Sequence, residues 1–262
     1  MARVKGPLIR RSSLVGAAAI IIVTFGSISP AVSIQSETAG PAYMKPMLIG
    51  GKAFPVLLPI DGRWLNWRDT YGAPRMRLEG GVWQQTGRHQ GIDIYAERGS
   101  PVVSIVPGMV ENAGWTFYSG WRVGVRGDDG RYYFYAHLLR SLAPGTVVGA
   151  RVSAGQALGH LGSSGYGPEG TSEEFPPHLH FGLQERSGTW ANPQQMLQEL
   201  YATTVAHLED ARRLMDGAEM RAEVLRSRAY LPGTPPHDAL VSAVNRALAE
   251  RDSLRASIAW ES

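Results

Sequence analysis

The sequence predicts a mainly β protein: an antiparallel β-sheet or barrel-sandwich core followed by a C-terminal α-helical extension. Three observations carry that expectation. The 262 residues include 31 Gly and 17 Pro scattered between short apolar runs, the composition of a chain that turns often. Several short segments rich in β-branched and aromatic residues lie between turn signals. Past Asn192-Pro193 the apolar spacing changes to that of helices.

Taken in order, Arg3, Lys5, Arg10 and Arg11 precede an apolar run from Leu14 to Phe25, with small residues and Pro30 beyond. This is the layout of an export signal. Counted on to Ile28, the run approaches the length of a membrane anchor, so residues 1–33 read as a signal peptide or an N-terminal anchor. Ala31 or Ser33 would end a cleavage site, and Arg10-Arg11 hints at the twin-arginine route. The expected location is therefore outside the cytoplasm, in the periplasm or cell envelope, with or without attachment to the inner membrane. Residues 34–53 are polar and broken by Gly and Pro, which reads as a linker.

The body is expected over 54–193. Val102 to Val106, Arg122 to Arg126, Arg131 to His137 and His178 to Leu183 are its strand candidates, separated by Pro107-Gly108, Asp128-Asp129-Gly130 and Pro144-Gly145. Over 194–262, Gln194 to Arg228 and His237 to Ser257 are expected as two helices joined by a turn at Leu231 to Pro236. Their apolar stripes fit packing on the body or on each other, and a docking hairpin for a protein partner is the second option. His207 and His237 on these helices read as ordinary surface or packing histidines.

Composition narrows the chemistry. There is no cysteine, so metal ligands must be His, Asp or Glu. A net charge of +3 with a pI near 9.3 favours anionic surfaces only mildly. Nucleic acid is not expected, because the arginines are dispersed among acids and do not form a basic run with aromatics.

Three fragments suit a metal site together. In His89-Gln90-Gly91-Ile92-Asp93, an imidazole and a carboxylate four apart share a face of an extended segment, and Gly91 lets the backbone bend between them. In His178-Leu179-His180-Phe181, two imidazoles share one face of a strand over an apolar floor. Tyr133-Phe134-Tyr135-Ala136-His137-Leu138 ends an aromatic strand with a histidine on the face of Tyr135. Each fragment alone has a bland explanation. Together they supply the nitrogen and carboxylate ligands of catalytic zinc, an open position for water, and spare imidazoles for proton transfer.

Arg88 to Asp93, Gly99-Ser100-Pro101-Val102, Tyr135 to Leu138, Val152 to Gln156, Gly162-Ser163-Ser164-Gly165, Pro177 to Phe181 and Asn192-Pro193 follow one another in a specific order. In these elements the stretch from about Gly87 to Pro193 resembles the lysostaphin-type (LytM-like) zinc metallopeptidases, many of which cut peptidoglycan peptides outside the cell. The resemblance implies one Zn2+ per chain held by His89, Asp93 and His180, catalytic roles for His137 and His178, and peptidoglycan peptides as substrate. Two departures stand out. The loop from Tyr166 to Phe175 is longer and more acidic than expected, and Gly182 stands where relatives often carry glutamate. His160 matches no ligand position. A biotinyl or lipoyl carrier is excluded because no lysine follows Lys52. The alternative is a non-enzymatic wall-binding domain or an activator of a cell-wall amidase, which should lack ligands.

Overall fold

Strands β1 (Pro74–Glu79) and β2 (Val82–Arg88) form an exposed hairpin, and the chain then enters a larger sheet made of β3 (Ile92–Tyr95), β5 (Gly108–Thr116), β6 (Gly120–Gly127), β7 (Tyr132–Leu138), β8 (Arg151–Val152), β10 (His178–Gln184) and β11 (Trp190–Ala191). The computed structural model describes residues 41–61, 65–228 and 237–261, so the export signal or anchor, the first part of the expected linker and the Leu231 to Pro236 turn lie outside the described residues. The described residues belong to one compact unit, Ala39–Ser262. Among them no helix is long and apolar enough to cross a membrane.

The large sheet is antiparallel throughout, in the order β11-β10-β7-β6-β5-β8. β3 pairs with the first half of β10 and β11 with its end, both opposite β7. A separate pair, β4 (Pro101–Val103) and β9 (Ala157–His160), supplies a second layer. Alternation along the strands decides which face is core. Ile92, Ile94, Val123, Val125, Tyr133, Tyr135, Leu179 and Phe181 are wholly buried on the back of the sheet, where they join Val102 and Leu158 of the second layer. The Tyr135 hydroxyl accepts a hydrogen bond from the Ile105 backbone N–H at 2.9 Å, tying the layers together. The front face carries the polar residues discussed below.

Helices α1 (Gln194–Arg228) and α2 (His237–Ile258) follow. The Asn192 side chain accepts from the Gln194 N–H at 2.9 Å, and Pro193 occupies the first turn, where its missing N–H costs nothing. The first half of α1 packs on the body through Leu197, Leu200 and Leu208, and Tyr201 joins Phe54 and Trp67 in an aromatic cluster with centroids 4.8–5.6 Å apart. Its second half packs against α2, where Ala218, Ala222 and Ala247 are buried.

The part of the expected linker that is described, 41–53, is packed into the unit. Met44 and Ala53 are buried, the Met44 N–H donates to the Leu58 carbonyl, and the Lys45 N–H donates to the carbonyl of Ile258, both at 2.7 Å. Pro and Gly made the segment look like a spacer. Some of its partners, Ile258 among them, lie more than two hundred residues away at the end of α2, where no local pattern reveals them.

Candidate metal centre

The ligand geometry follows from strand pairing. Asp93 on β3 stands opposite His180 on β10, and directly opposed residues project to one face with their Cβ atoms about 5 Å apart. His89 lies in the crossing between β2 and β3. Its N–H donates to the Ala73 carbonyl, and its own carbonyl accepts from the Gly72 N–H, both at 2.8 Å. Its Nδ1 contacts the Thr70 carbonyl at 3.1 Å, a contact only an Nδ1–H can make, so Nε2 points forward with its lone pair. Asp93 Oδ1 is then 2.9 Å from His180 Nδ1 and 3.1 Å from His89 Nε2, and the two nitrogens are 2.9 Å apart.

This triangle fits a zinc ion. Bonds of 2.0–2.1 Å at tetrahedral angles put ligand atoms about 3.3 Å apart, a few tenths of an ångström wider than these contacts. Without a cation, three acceptor atoms converge and one shared proton cannot satisfy all three contacts. Burial opposes ionisation of Asp93. The hydrogen bonds and positive charge that the His180 and His89 imidazoles offer it when protonated overcome this and hold the carboxyl well below the usual carboxylate range. The His180 imidazole is pushed down by burial, against the pull of Asp93, and stays neutral as a ligand must.

His178 and His137 flank this cluster. His178 lies two residues from His180 on the same face, with Nε2 at 3.7 Å from Asp93 Oδ1 and Nδ1 donating to the Pro176 carbonyl at 2.9 Å. His137 donates from Nδ1 to the Ser164 carbonyl at 2.7 Å. Its ring lies 4.8 Å from His178 and 6.0 Å from His180, centroid to centroid. Burial, reinforced by His178 and His180, pushes His137 down to about 3. His178 is lowered as well, by burial first, partly offset by the Pro176 carbonyl. Both imidazoles are neutral at physiological pH and present Nε2 as an acceptor.

The expected placement of His137 on the face of Tyr135 needs correction. Tyr135 packs against Phe181 in the core, whereas Phe134, on the other face, packs against His180 and Trp190. Alternation would send residue 137 into the core with Tyr135. Ala136 and His137 instead stand together opposite Arg122 in a β-bulge between β6 and β7, and His137 adopts φ 63°. The extra residue and the left-handed backbone swing the imidazole to the front face.

Several contributors escaped the sequence reading. Ser164 orients His137 through its carbonyl, and its hydroxyl donates to the Leu138 carbonyl while accepting from the Trp121 N–H. The Gly162-Ser163-Ser164-Gly165 motif was its signal. Arg75 on β1 reaches Asp93 Oδ2 at 3.4 Å, which fixes the carboxylate oxygen not facing the histidines. Gly91 matters for space: a Cβ there would sit 2.4 Å from the Phe181 carbonyl and 2.9 Å from His180 Nε2. At Gly182 a Cβ would lie 2.7 Å from the Trp190 ring, which fills the room a glutamate would use. From the long loop, Phe175 and Tyr166 pack on His137 at 4.7 and 6.1 Å. His160 sits on β9, away from the cluster, where its carbonyl accepts from the Leu139 N–H. Among the described residues His89, Asp93 and His180 are the one group of three that could hold a metal ion.

Residues 87–193 match the model of peptidase family M23. The chain is 40% identical over 141 residues to the L-Ala–D-Glu endopeptidase of Bacillus subtilis, which covers 53% of this chain and 40% of that protein. It is 37% identical over 108 residues to the glycyl-glycine endopeptidase ALE-1 of Staphylococcus capitis, covering 40% of this chain and 26% of that one. The catalytic domain of the antimicrobial peptidase lysostaphin from Staphylococcus simulans is 31% identical, with a TM-score of 0.38, over 53% of this chain and 95% of that domain. The chain thus spans well under half the length of these two curated relatives. Residues 87–193 thus form a domain of peptidase family M23.

Proposed function

We propose that the chain is an exported zinc metalloendopeptidase that hydrolyses peptide bonds in peptidoglycan stem peptides or cross-bridges. The observation that carries this reading is the convergence of His89 Nε2, Asp93 Oδ1 and His180 Nδ1 beside two further imidazoles whose Nδ1–H groups are already committed to carbonyls. Relatives named as L-Ala–D-Glu and glycyl-glycine endopeptidases support the substrate class.

A zinc ion held by His89, Asp93 and His180 supplies Lewis-acid polarisation of the scissile carbonyl and lowers the pKa of a water at its open position. The remaining work falls to the chain. Both His137 and His178 enter neutral, with an Nε2 lone pair, so either can accept the proton of the attacking water. The one that does becomes a donor, first to the developing oxyanion and then to the leaving amine. The Pro176 and Ser164 carbonyls stabilise that protonated state and fix the ring planes. The groove over the front face, about 430 Å³ and lined by His89, His137 and His180 among others, has room for a short stretch of extended peptide.

A wall-binding or amidase-activating role would not need this complete set of ligands and imidazoles. The basic residues and apolar run within 1–33 support export, and the amino-terminal sequence of protein recovered from the envelope would distinguish a cleaved signal from a retained anchor. The hydrolytic reading is tested by release of soluble muropeptides from purified peptidoglycan, with zinc, with a chelator, and by His180→Ala. Release that requires both zinc and His180 is expected. No release by folded, zinc-loaded protein would reject the reading.

A further inference from the structure

The groove beside the metal centre carries an unbalanced charge. Arg75, Arg88 and Arg122 line it, and no carboxylate side chain does. Two of these guanidiniums already have partners: Arg75 meets Asp93 at 3.4 Å, and Arg88 donates to the Gly72 carbonyl at 2.9 Å. No carboxylate pairs with Arg122 among the described residues, although exposed arginines elsewhere, such as Arg126, Arg131 and Arg151, each meet an acid. A neutral donor lines the groove with Arg122, a hydroxyl that lies over Gly124, two residues along β6. The Tyr132 hydroxyl accepts from Asn112 Nδ2 at 3.1 Å, which leaves its own proton free to be given to a ligand. Both Tyr132 and Asn112 line the same groove. A guanidinium with a phenol donor in the same groove is suited to a carboxylate.

The position of this subsite relative to the metal follows from the sheet. His180 pairs with Ala136, and Ala136 stands in the bulge opposite Arg122. Arg122 is thus two strand spacings from His180, about 10 Å. An extended peptide advances roughly 3.3–3.6 Å per residue, and the arginine side chain reaches back over part of that span. A carboxylate held here belongs to a residue one or two positions from the scissile bond.

We infer that Arg122, with Tyr132 and the flanking charge of Arg88 and Arg75, forms a carboxylate-binding subsite that selects acidic peptides over neutral ones such as an all-glycine bridge. This rests on the peptidase reading above and goes further in naming the substrate chemistry and the residues that choose it.

The test uses full-length, zinc-loaded protein and two fluorescently labelled, C-terminally amidated peptides, L-Ala-γ-D-Glu-L-Ala and the same peptide with the free glutamyl carboxylate converted to its amide. A ketomethylene in place of the amide between the first two residues makes both uncleavable, so binding is read by anisotropy independently of turnover. The acid is expected to bind at least tenfold more tightly than the amide. Arg122→Gln brings that ratio close to one, Arg122→Lys restores part of it, and Arg151→Gln, on a surface ion pair, leaves it intact. Equal binding of acid and amide by the native protein, or a ratio indifferent to Arg122→Gln, overturns the subsite. Cleavage of the corresponding ordinary peptides is measured separately. Preferential binding of the acid without cleavage of either would sustain the subsite and count against the peptidase reading, and cleavage of both at equal rates would do the reverse.

Discussion

Acidification of the metal-free protein should expose the buried histidine beside the metal centre. His137 is enclosed by Phe175, Tyr166, His178 and His180, and its pKa is pushed down to about 3. In the unfolded chain it titrates near its ordinary value of about 6.5. Between these values the unfolded state binds a proton that the folded state refuses, so stability falls as pH falls through about 6.5 and continues to fall toward about 3. From pH 7 to pH 5 the loss from this one group is about 2 kcal/mol. The assay is urea unfolding of chelator-treated protein at half-unit pH steps, comparing native protein with His137→Asn, a residue that tolerates the left-handed backbone. The substitution will shift the whole curve. The informative quantity is its slope, which should be shallower in the variant by about one proton between pH 4 and 6. Parallel curves would refute the claim that His137 is held neutral by burial.

His178→Gln should retain zinc, because the imidazole is no ligand in this arrangement, yet lower the hydrolytic rate by about 10²–10⁴; metal content and initial rates on one preparation check both. Gly91→Ala forces a methyl group against the Phe181 carbonyl and the His180 ring, so it should cost about 1–3 kcal/mol of stability and weaken zinc binding, read by thermal unfolding and competition with a chromogenic chelator. Tyr135→Phe strands the buried Ile105 N–H and should destabilise the protein by about 1–3 kcal/mol without changing zinc stoichiometry.

What was legible in the sequence was local. The strands from Gly120, Tyr132 and His178 and both helices lie close to where apolar period and turn residues put them, because these signals are local to each element. The β1–β2 hairpin escaped notice although Gly80-Gly81 was its signal. Positive φ at both glycines, 58° and 81°, gives the tight two-residue turn that joins Glu79 to Val82. β2 is exposed along its whole length and carries no buried stripe to mark it. The packing of 41–53 depends on the returning end of α2, and the face of His137 depends on a bulge, so neither could be read from composition or alternation. Arg75, Arg88 and Arg122 looked dispersed along the chain, and only the order β3-β10-β7-β6 with the adjoining hairpin gathers them at one groove.

The most direct test of the central claim is hydrolytic rate as a function of zinc bound per chain, measured on protein stripped of metal and reloaded in steps. The account predicts a linear rise that ends at one zinc, with Asp93→Asn and His89→Ala failing to follow it. Full activity in stripped protein, or zinc retained at one per chain after both substitutions, would contradict the assignment of this site.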